Sequence, residues 1–514
     1  MNIMGCKGWI NVIGVHFFLW FFSGMLFGQV EHFSDSLSIT QMCQLVFSHL
    51  YEFNYPCSPK DSSLSCKKEA FDLDMPLCGE AIMSAAFFES LLQATIAVVG
   101  NELNDGSMKW IKNQSLQKSY LKYTGVYPYG IAAVFPSYTT VIAMGDYHGN
   151  VHSLARNIRR LQYLKLMDEE GVLNTNIVLV MLGDIGDRGH YSIETWALAM
   201  LLKIKNPRQV ILMQGNHETA FLFGEYGFRC ELLSKFGEVY EKPIELLLER
   251  LFSLLPQVCF LGVPDDFGHI FFNQFNHGGL GQYGVISDVH TMRVLPLLRL
   301  ATQNIEFGNF CGIVYEGYPT DNGFIWNDFV ATPGDKPEMR LQGWRHEEHL
   351  VHHGKVVVNY FRKLSEKQNF SVGGIIRGHA HLPGGINQLR YYSERKAPGS
   401  WMNNWTPLSK NACMPIAFES PNFGFPVFTI TSVCDVFHDE AFALLSFDSR
   451  KGLWFLENYR FDGPKESFSD MNYRWKTGLD EMLHAISDDV LFVPCGFSSD
   501  LYSSSYEDLT TYNR

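Results

Sequence analysis

The sequence predicts an α/β fold built on a parallel sheet covered by helices. Two patterns and the composition predict it. Short apolar runs alternate with amphipathic stretches from residue 138 onward, and the first three runs each end in a polar cluster containing glycine. Of the 514 residues, 46% are apolar, 14% aromatic and only 18% charged. An ordinary domain carries about 25% charged residues, so a large buried fraction is expected. This composition excludes a disordered chain, a collagen-like repeat and a small disulfide scaffold. At about 100–200 residues per domain, the length suits roughly two to four domains. The net charge of −13 argues against nucleic acid as a partner, because a phosphate backbone calls for basic patches. A local positive site for one phosphate group is compatible with it.

Taken in order, residues 8–30 contain no Asp, Glu, Lys or Arg and lie between Lys7 and Glu31. Such a stretch can span a hydrocarbon core of about 30 Å. It also matches a secretory signal peptide, with a short positive start and an apolar middle. The first unit, 1–28, is therefore expected to be a signal peptide or membrane anchor, with a buried helix as the third reading. Asn11 and His16 weigh against the anchor, since both are costly in lipid. The first two readings make the protein exported (secreted or periplasmic), or membrane-anchored through its N-terminus. Eleven cysteines are present. Cys43, Cys57, Cys66 and Cys78 follow the apolar stretch and would pair in one of three ways in an exported chain. The alternative is buried free thiols. None shows C-x-x-C spacing, which argues against a zinc ribbon. Residues 29–135 carry helical periodicity at 81–100 but no readable motif, and form an N-terminal extension of unknown role.

The main unit, 136–450, opens with a strand at 140–145, a helix at 151–166 and a strand at 177–183. A helix near 192–205 and a strand at 210–214 follow. This βαβαβ rhythm implies parallel strands. The runs at 269–275, 372–378, 425–433 and 441–447 read as further core strands. Residues 451–514 form a C-terminal extension with a Ser/Tyr/Asp-rich, flexible tail.

The chemistry-bearing residues sit at the strand ends. Gly145-Asp146-Tyr147-His148-Gly149-Asn150 follows the first strand. Asp184-Ile185-Gly186-Asp187-Arg188-Gly189 follows the second, and Gly215-Asn216-His217-Glu218 the third. Ligands of open α/β sheets bind at the carboxyl ends of strands, so these clusters should converge. Carboxylate, imidazole and amide oxygen together suit a divalent metal of borderline hardness, such as Mn, Fe or Zn. One such Asp or His alone would read as a cap; three clusters in order do not.

The pattern GD-x-HG, GD-x-x-DRG, GNHE resembles the calcineurin-like metallophosphoesterases, and most closely the phosphoprotein phosphatase (serine/threonine protein phosphatase) branch. Asn276-His277-Gly278-Gly279-Leu280 is similar to that branch's HGGL, and Trp326-Asn327-Asp328 to its WSD. Ile375-Ile376-Arg377-Gly378-His379, with Gly385 six residues on, is similar to its R-x-H-x5-G. Residues 433–448 resemble its final core segment, so the resemblance covers roughly 140–448. It implies a metallophosphoesterase-type β-sandwich flanked by helices, in α/β/β/α layers. It further implies two divalent metal ions, with Asp146 and His148 on the first and Asp184 bridging both. Asn216, His277 and His379 would hold the second. Asp187 would pair with His217, which would protonate the leaving oxygen, and Arg188 would bind the phosphate.

General chemistry agrees with these roles. Two cations about 3.5–4 Å apart can share a bridging hydroxide that attacks phosphorus in line. A planar guanidinium suits a tetrahedral phosphate, and an Asp-backed imidazolium is a natural general acid. The implied activity is hydrolysis of phosphomonoesters on phosphoproteins, at phospho-Ser/Thr with phospho-Tyr as a further substrate.

The sequence departs from the branch at three places. His381, in GHAH, is either an extra ligand of the first metal or a hydrogen-bonding loop histidine. The second phosphate-binding arginine would be Arg340 or Arg345; neither spacing fits cleanly, and Arg345 is favoured. Val433 stands where the branch has a tyrosine. These departures leave hydrolysis intact and bear on substrate preference. A second enzymatic reading is a nucleotide or dinucleotide polyphosphate hydrolase. A third, of another class, is a catalytically silent binding scaffold. The presence of every expected ligand together with Asp187 and His217 argues against the scaffold.

Overall fold

The computed structural model describes residues 38–50, 82–104, 130–223, 226–280, 323–330, 338–341, 348–352, 357–358, 361, 370–391, 405–416, 425–433 and 439–462. Two sheets form its centre. The six-stranded sheet joins β2 (Thr140–Met144), β3 (Ile177–Met181), β4 (Val210–Leu212), β13 (Cys413–Ile416), β15 (Asp439–Asp448) and β16 (Leu453–Asp462), in the order β13-β16-β15-β2-β3-β4. Within it β2, β3 and β4 run parallel, whereas β15 pairs antiparallel with β2 and β16 with β15.

The seven-stranded sheet joins β1 (Gly130–Val134), β5 (Val258–Pro264), β6 (Ile270–Asn276), β10 (Phe370–Arg377), β14 (Phe425–Ile430), β11 (Ile386–Tyr391) and β12 (Thr406–Pro407), in that spatial order. A small third sheet holds β7 (Asp328–Phe329), β8 (Glu338–Leu341) and β9 (Glu348–His352), with β9 in the middle.

Alternating side chains lie on opposite faces of a strand, and this sorts the core. Val141, Ala143, Val178, Val180 and Ile211 face the other sheet and pack with Leu261, Phe275, Ile376, Phe428 and Ile430. Their neighbours Ile142, Met144, Leu179, Met181 and Leu212 face a helical layer. Strands covered on both faces read as unbroken apolar runs, and for that reason β2 and β3 are plain in the sequence. On the outer face of the larger sheet, Phe361 stacks flat on Phe425 at 4.8 Å.

The helical layer holds α1 (Ile39–His49), α2 (Ala85–Asn104), α3 (Val151–Tyr163), α4 (Ser192–Lys205), α5 (Ala220–Phe223), α6 (Phe228–Phe236) and α7 (Glu238–Ser253); α8 (Gly323–Trp326) is a single turn near the small sheet. Asn150 caps α3, its side-chain oxygen accepting from Ser153 N at 3.1 Å. Helices α1 and α2 are part of this layer. Ile39, Met42, Cys43 and Val46 of α1, and Phe88, Leu91 and Leu92 of α2, share one apolar core with α3, α4 and α7.

The described helices of the 29–135 extension are thus a cover for the main unit's own core. Strand β1 lies inside the range assigned to the extension, and β16 inside the range assigned to the C-terminal one, yet each is paired in a main sheet. The short GIAAV run of β1 and the alternating LWFLENYRFD of β16 give weak local signals, and only their sheet partners define them. The Cys43 thiol is free and buried, and burial pushes its pKa up to about 12. Cys57, Cys66 and Cys78, like the apolar stretch 8–30, lie outside the described residues. Among the described residues no helix is long and apolar enough to cross a membrane.

Candidate functional site

Five strands deliver the site at their carboxyl ends. The loop after β2 carries Asp146 and His148, and the loop after β3 carries Asp184, Asp187 and Arg188. Asn216, His217 and Glu218 follow β4; His277 follows β6; His379 and His381 follow β10. Asp146, His148, Asp184, Asn216, His217 and His277 are each 3% exposed or less. Five of the seven described non-glycine residues with positive φ are His148, Asp184, Asp187, Arg188 and His379. Backbone of this kind costs of order 1–3 kcal/mol per residue and persists where the surroundings over-determine it, as they do at functional sites. Two glycines allow the packing: a Cβ on Gly215 would lie 2.2 Å from an Asp184 oxygen, and one on Gly378 2.2 Å from an Asp146 oxygen.

The polar atoms converge in overlapping groups. His381 Nε2 lies 3.1 Å from Asp146 Oδ2, and His148 Nε2 lies 3.8 Å from Asp146 Oδ2 and 3.5 Å from Asp184 Oδ2. On the other side of Asp184, His277 Nε2 is 3.1 Å from the same Oδ2. It is also 2.9 Å from Asn216 Oδ1 and 3.2 Å from His379 Nδ1. The sets Asp146/His148/His381 and Asp184/His277/His379 each present three donor atoms close enough to hold one ion. Asp184 stands between them, its Oδ2 within reach of His148 and His277 alike.

The donor chemistry fits cations. His277 Nδ1 faces the Leu182 carbonyl at 3.0 Å, so that nitrogen carries a proton and donates. In the neutral ring, Nε2 then turns a lone pair toward an amide oxygen, a carboxylate and a second imidazole. Acceptors gathered at this range need a positive charge among them. Burial alone would lower the His277 pKa, but the Asp184 and Asp146 carboxylates outweigh it and raise it. Burial likewise would raise the Asp184 carboxyl, yet the facing His277 and His217 hold it well below the usual range. A proton at Nε2 is one way to supply the charge, and a divalent metal, which displaces such protons, is the other.

Beside this centre, His217 Nδ1 is 2.9 Å from Asp187 Oδ2, and His217 Nε2 is 3.0 Å from an Arg188 guanidinium nitrogen. The Arg188 backbone N–H donates to the Tyr226 carbonyl at 2.8 Å. Tyr226 itself is exposed at the rim, its ring edge-on to His217 at 4.9 Å. Trp326 of α8 meets His379 edge-on at 6.3 Å.

The structure therefore gathers ten of the named residues: Asp146, His148, Asp184, Asp187, Arg188, Asn216, His217, His277, His379 and His381. His381 lies beside Asp146, a position that fits both an extra ligand and a hydrogen-bonding loop histidine. Arg345 lies outside the described residues, and Arg340 is placed on β8.

Glu218 closes the Gly215-Asn216-His217-Glu218 cluster. It is buried and accepts from Asp184 N at 2.7 Å, Ile185 N at 3.0 Å and Gly215 N at 2.8 Å. It thereby ties the β3 and β4 loops together; burial, with Asp184 adding, pushes its pKa up to about 7. Its place in GNHE was a signal, but a clamp onto backbone N–H groups has no signature in residue type. Tyr226 gave no signal at all.

Comparison with known proteins agrees with this geometry. Residues 139–383 match the family model of the calcineurin-like phosphoesterases. The catalytic subunit of serine/threonine-protein phosphatase 6 from Caenorhabditis elegans is 31% identical over 195 residues, 38% of this chain and 51% of that protein. Serine/threonine-protein phosphatase 7 from Arabidopsis thaliana is 34% identical over 223 residues, 39% and 48% of the two chains. Serine/threonine-protein phosphatase PP1-1 from Saccharomyces cerevisiae is 40% identical over 102 residues, 20% and 30%. The chain thus spans 30% to 51% of the length of these relatives. The segment 139–383, which carries the convergent strand-end residues, is thus similar to the calcineurin-like phosphoesterases.

Proposed function

We propose that this protein is a two-metal phosphoprotein phosphatase that hydrolyses phospho-Ser/Thr, with phospho-Tyr as a further substrate. One observation carries the reading: two sets of convergent donors meet at Asp184, with the Asp187–His217–Arg188 group beside them. The relatives' names, all serine/threonine phosphatases, support the substrate class.

Asp146, His148 and His381 would hold one cation and Asn216, His277 and His379 the other, with Asp184 between them. The mixed nitrogen and oxygen donors suit Mn, Fe or Zn. Divalent metals, when bound, would supply Lewis-acid charge and a water nucleophile deprotonated at neutral pH. Asp187 orients His217 by accepting from Nδ1. Arg188 now faces Nε2 as a donor, which holds that nitrogen as a lone pair. An incoming phosphate dianion competes for the guanidinium, and as Arg188 turns to it Nε2 is released to carry a proton to the leaving oxygen. Charge-assisted contacts from the guanidinium then favour the phosphoryl oxygens as negative charge builds on them.

The test is phosphate release by the purified protein from phosphoserine, phosphothreonine and phosphotyrosine peptides and from a dinucleotide polyphosphate, with Mn²⁺ and with chelator. Metal-dependent release from the peptides is expected. Release from the dinucleotide alone would move the function to polyphosphate hydrolysis, and no release from a folded, metal-loaded protein would leave a binding scaffold. Export is a separate proposal, supported by the apolar stretch at 8–30 and by the disulfide at Cys413, since disulfides persist in oxidising compartments. Sequencing the mature N-terminus tests it; an intact Met1 start in a cytosolic fraction would overturn it.

A further inference from the structure

The His217–Asp187 pair depends on a loop whose backbone is left-handed at Asp187 (φ 65°) and Arg188 (φ 64°). Three hydrogen bonds hold it there. Asp187 N donates to Ser192 Oγ at 3.1 Å, Phe228 N donates to Asp187 Oδ1 at 3.1 Å, and Arg188 N donates to the Tyr226 carbonyl at 2.8 Å. One support is therefore the first residue of α4, and the other is the entry into α6.

Glu231 on α6 clasps these two supports. Its Oε2 accepts from Ser192 N at 2.8 Å and its Oε1 from Ile193 N at 3.1 Å, filling donors that the start of α4 would otherwise leave unmet. One turn further along α6, Lys235 Nζ donates to Glu231 Oε1 and to Glu194 Oε2, each at 2.7 Å, and to the His190 carbonyl at 3.1 Å. The side chains of Lys235, Glu194 and Glu231 are each 2% exposed or less. Burial would lower the Lys235 pKa, but the two carboxylates outweigh it and raise it, so the ammonium stays charged. A buried ion network of this kind is weaker evidence for stability than apolar packing would be. What it fixes is the spacing of α4 against α6.

We propose that Glu231 and Lys235 are positioning residues for the Asp187–His217 proton donor, acting through Ser192 and Phe228 on the aim of the Asp187 carboxylate. This rests on the phosphatase reading above. The step served is cleavage of the P–O ester bond. Water oxygen bonds to phosphorus, the electron pair of the broken bond goes to the leaving oxygen, and the proton on His217 Nε2 follows it. A loop set off-aim slows that proton transfer and leaves phosphate binding largely as it was.

The experiment compares two esters on the full chain with Mn²⁺. Phenolate leaves from phenyl phosphate only with help from a proton, whereas 2,4-dinitrophenolate leaves unaided. Glu231→Gln keeps the shape and one acceptor oxygen. General acid catalysis contributes about 10²–10⁴-fold, so a partial misalignment should lower kcat on phenyl phosphate by about 10-fold. The same variant should change kcat on 2,4-dinitrophenyl phosphate by less than about 2-fold, with KM for both held. Lys235→Arg should retain most of the activity.

Lys235→Met would leave Glu194 and Glu231 buried without their cation. The triple variant Glu194→Gln/Glu231→Gln/Lys235→Met replaces it, with thermal melting read first. Equal slowing on both esters, or no slowing on either, would overturn the inference while the phosphatase reading stands. A wild-type protein inactive on both esters and on the peptides overturns that reading, and the inference with it.

Discussion

Asp184 and Glu440 are buried to the same degree, at 1% and 0% exposure, and their surroundings are opposites. Glu440 lies in regular β15 beneath α3, and donors fill its oxygens. Ser153 Oγ donates at 2.8 Å, Arg156 Nε at 3.0 Å and Arg160 at 2.8 Å. Burial would raise its pKa, but the guanidiniums of Arg156 and Arg160 outweigh it and bring it to about 2. Asp184 sits on left-handed backbone (φ 52°) with imidazoles and an amide oxygen crowded on its far side. The protein has neutralised one carboxylate with its own cations. Around the other it has assembled imidazoles and an amide oxygen that could hold a cation from outside. Burial of charge therefore separates nothing by itself; the identity of the partners tells a structural cluster from a ligand site.

The largest expected effect falls on the open cluster. Asp184→Asn removes the carboxylate that stands between the two donor sets. Phosphate release should fall by about 10³-fold or more, given that each preorganised electrostatic contact is worth about 10²–10³, and metal content measured on the purified protein should fall with it. Because Asn matches Asp in shape, melting in the presence of chelator should change little. Full activity in this variant would break the comparison at its root.

For the closed cluster the expected loss is in stability. Glu440→Gln leaves two guanidiniums buried without their carboxylate, a change that costs about 3–5 kcal/mol, read by denaturant unfolding. Activity per folded molecule should hold. The pH dependence has a definite sign. With the folded pKa at about 2 and the ordinary value at 4.5, the unfolded chain takes up the proton first as pH falls. The contribution is full above about 4.5 and is lost as pH falls through about 2. At 1.36 kcal/mol per unit it amounts to about 3 kcal/mol. Acid unfolding of Glu440→Gln should lack this component; an identical acid transition in both proteins would place the stabilising charge elsewhere.

The two clusters also differ in how well the sequence shows them. Asp146, His148, Asp184, Asn216 and His217 follow recognisable apolar runs at strand ends, where α/β sheets hold ligands, so residue type and position together announce them. Glu440 sits in a legible strand, but its partners Arg156 and Arg160 are 284 and 280 residues away. Only the antiparallel pairing of β15 with β2 brings Glu440 under α3, which carries both arginines. Strand β5 is obscured by Gly262, which is needed because a Cβ there would meet the Phe272 ring at 2.5 Å. Helix α1 has a local signal of its own: Ser38-x-x-Gln41 before an apolar periodic run is a capping-box signature, and both of its reciprocal bonds form, at 3.1 and 2.7 Å.

That cap supplies the smallest effect and the finest test of the division. Ser38→Ala should destabilise the protein by about 1 kcal/mol, the usual worth of an N-cap side chain, provided α1 folds as part of the main core. Helix α1 packs on α3 and also touches α4. Gln162 Nε2 donates to Thr40 Oγ1 at 2.9 Å, and the Leu50 carbonyl meets His152 Nε2 at 3.2 Å. The same helix carries Arg156 and Arg160 on Glu440, and its first residue follows the His148 loop. If the closed cluster anchors α3 firmly, loosening α1 shows in the melting temperature while kcat and metal affinity stay within about 2-fold. A fall in metal affinity beyond that, at temperatures well below melting, would mean that strain in α1 passes through α3 into the His148 loop. The stabilising and ligand-binding clusters would then be two ends of one element.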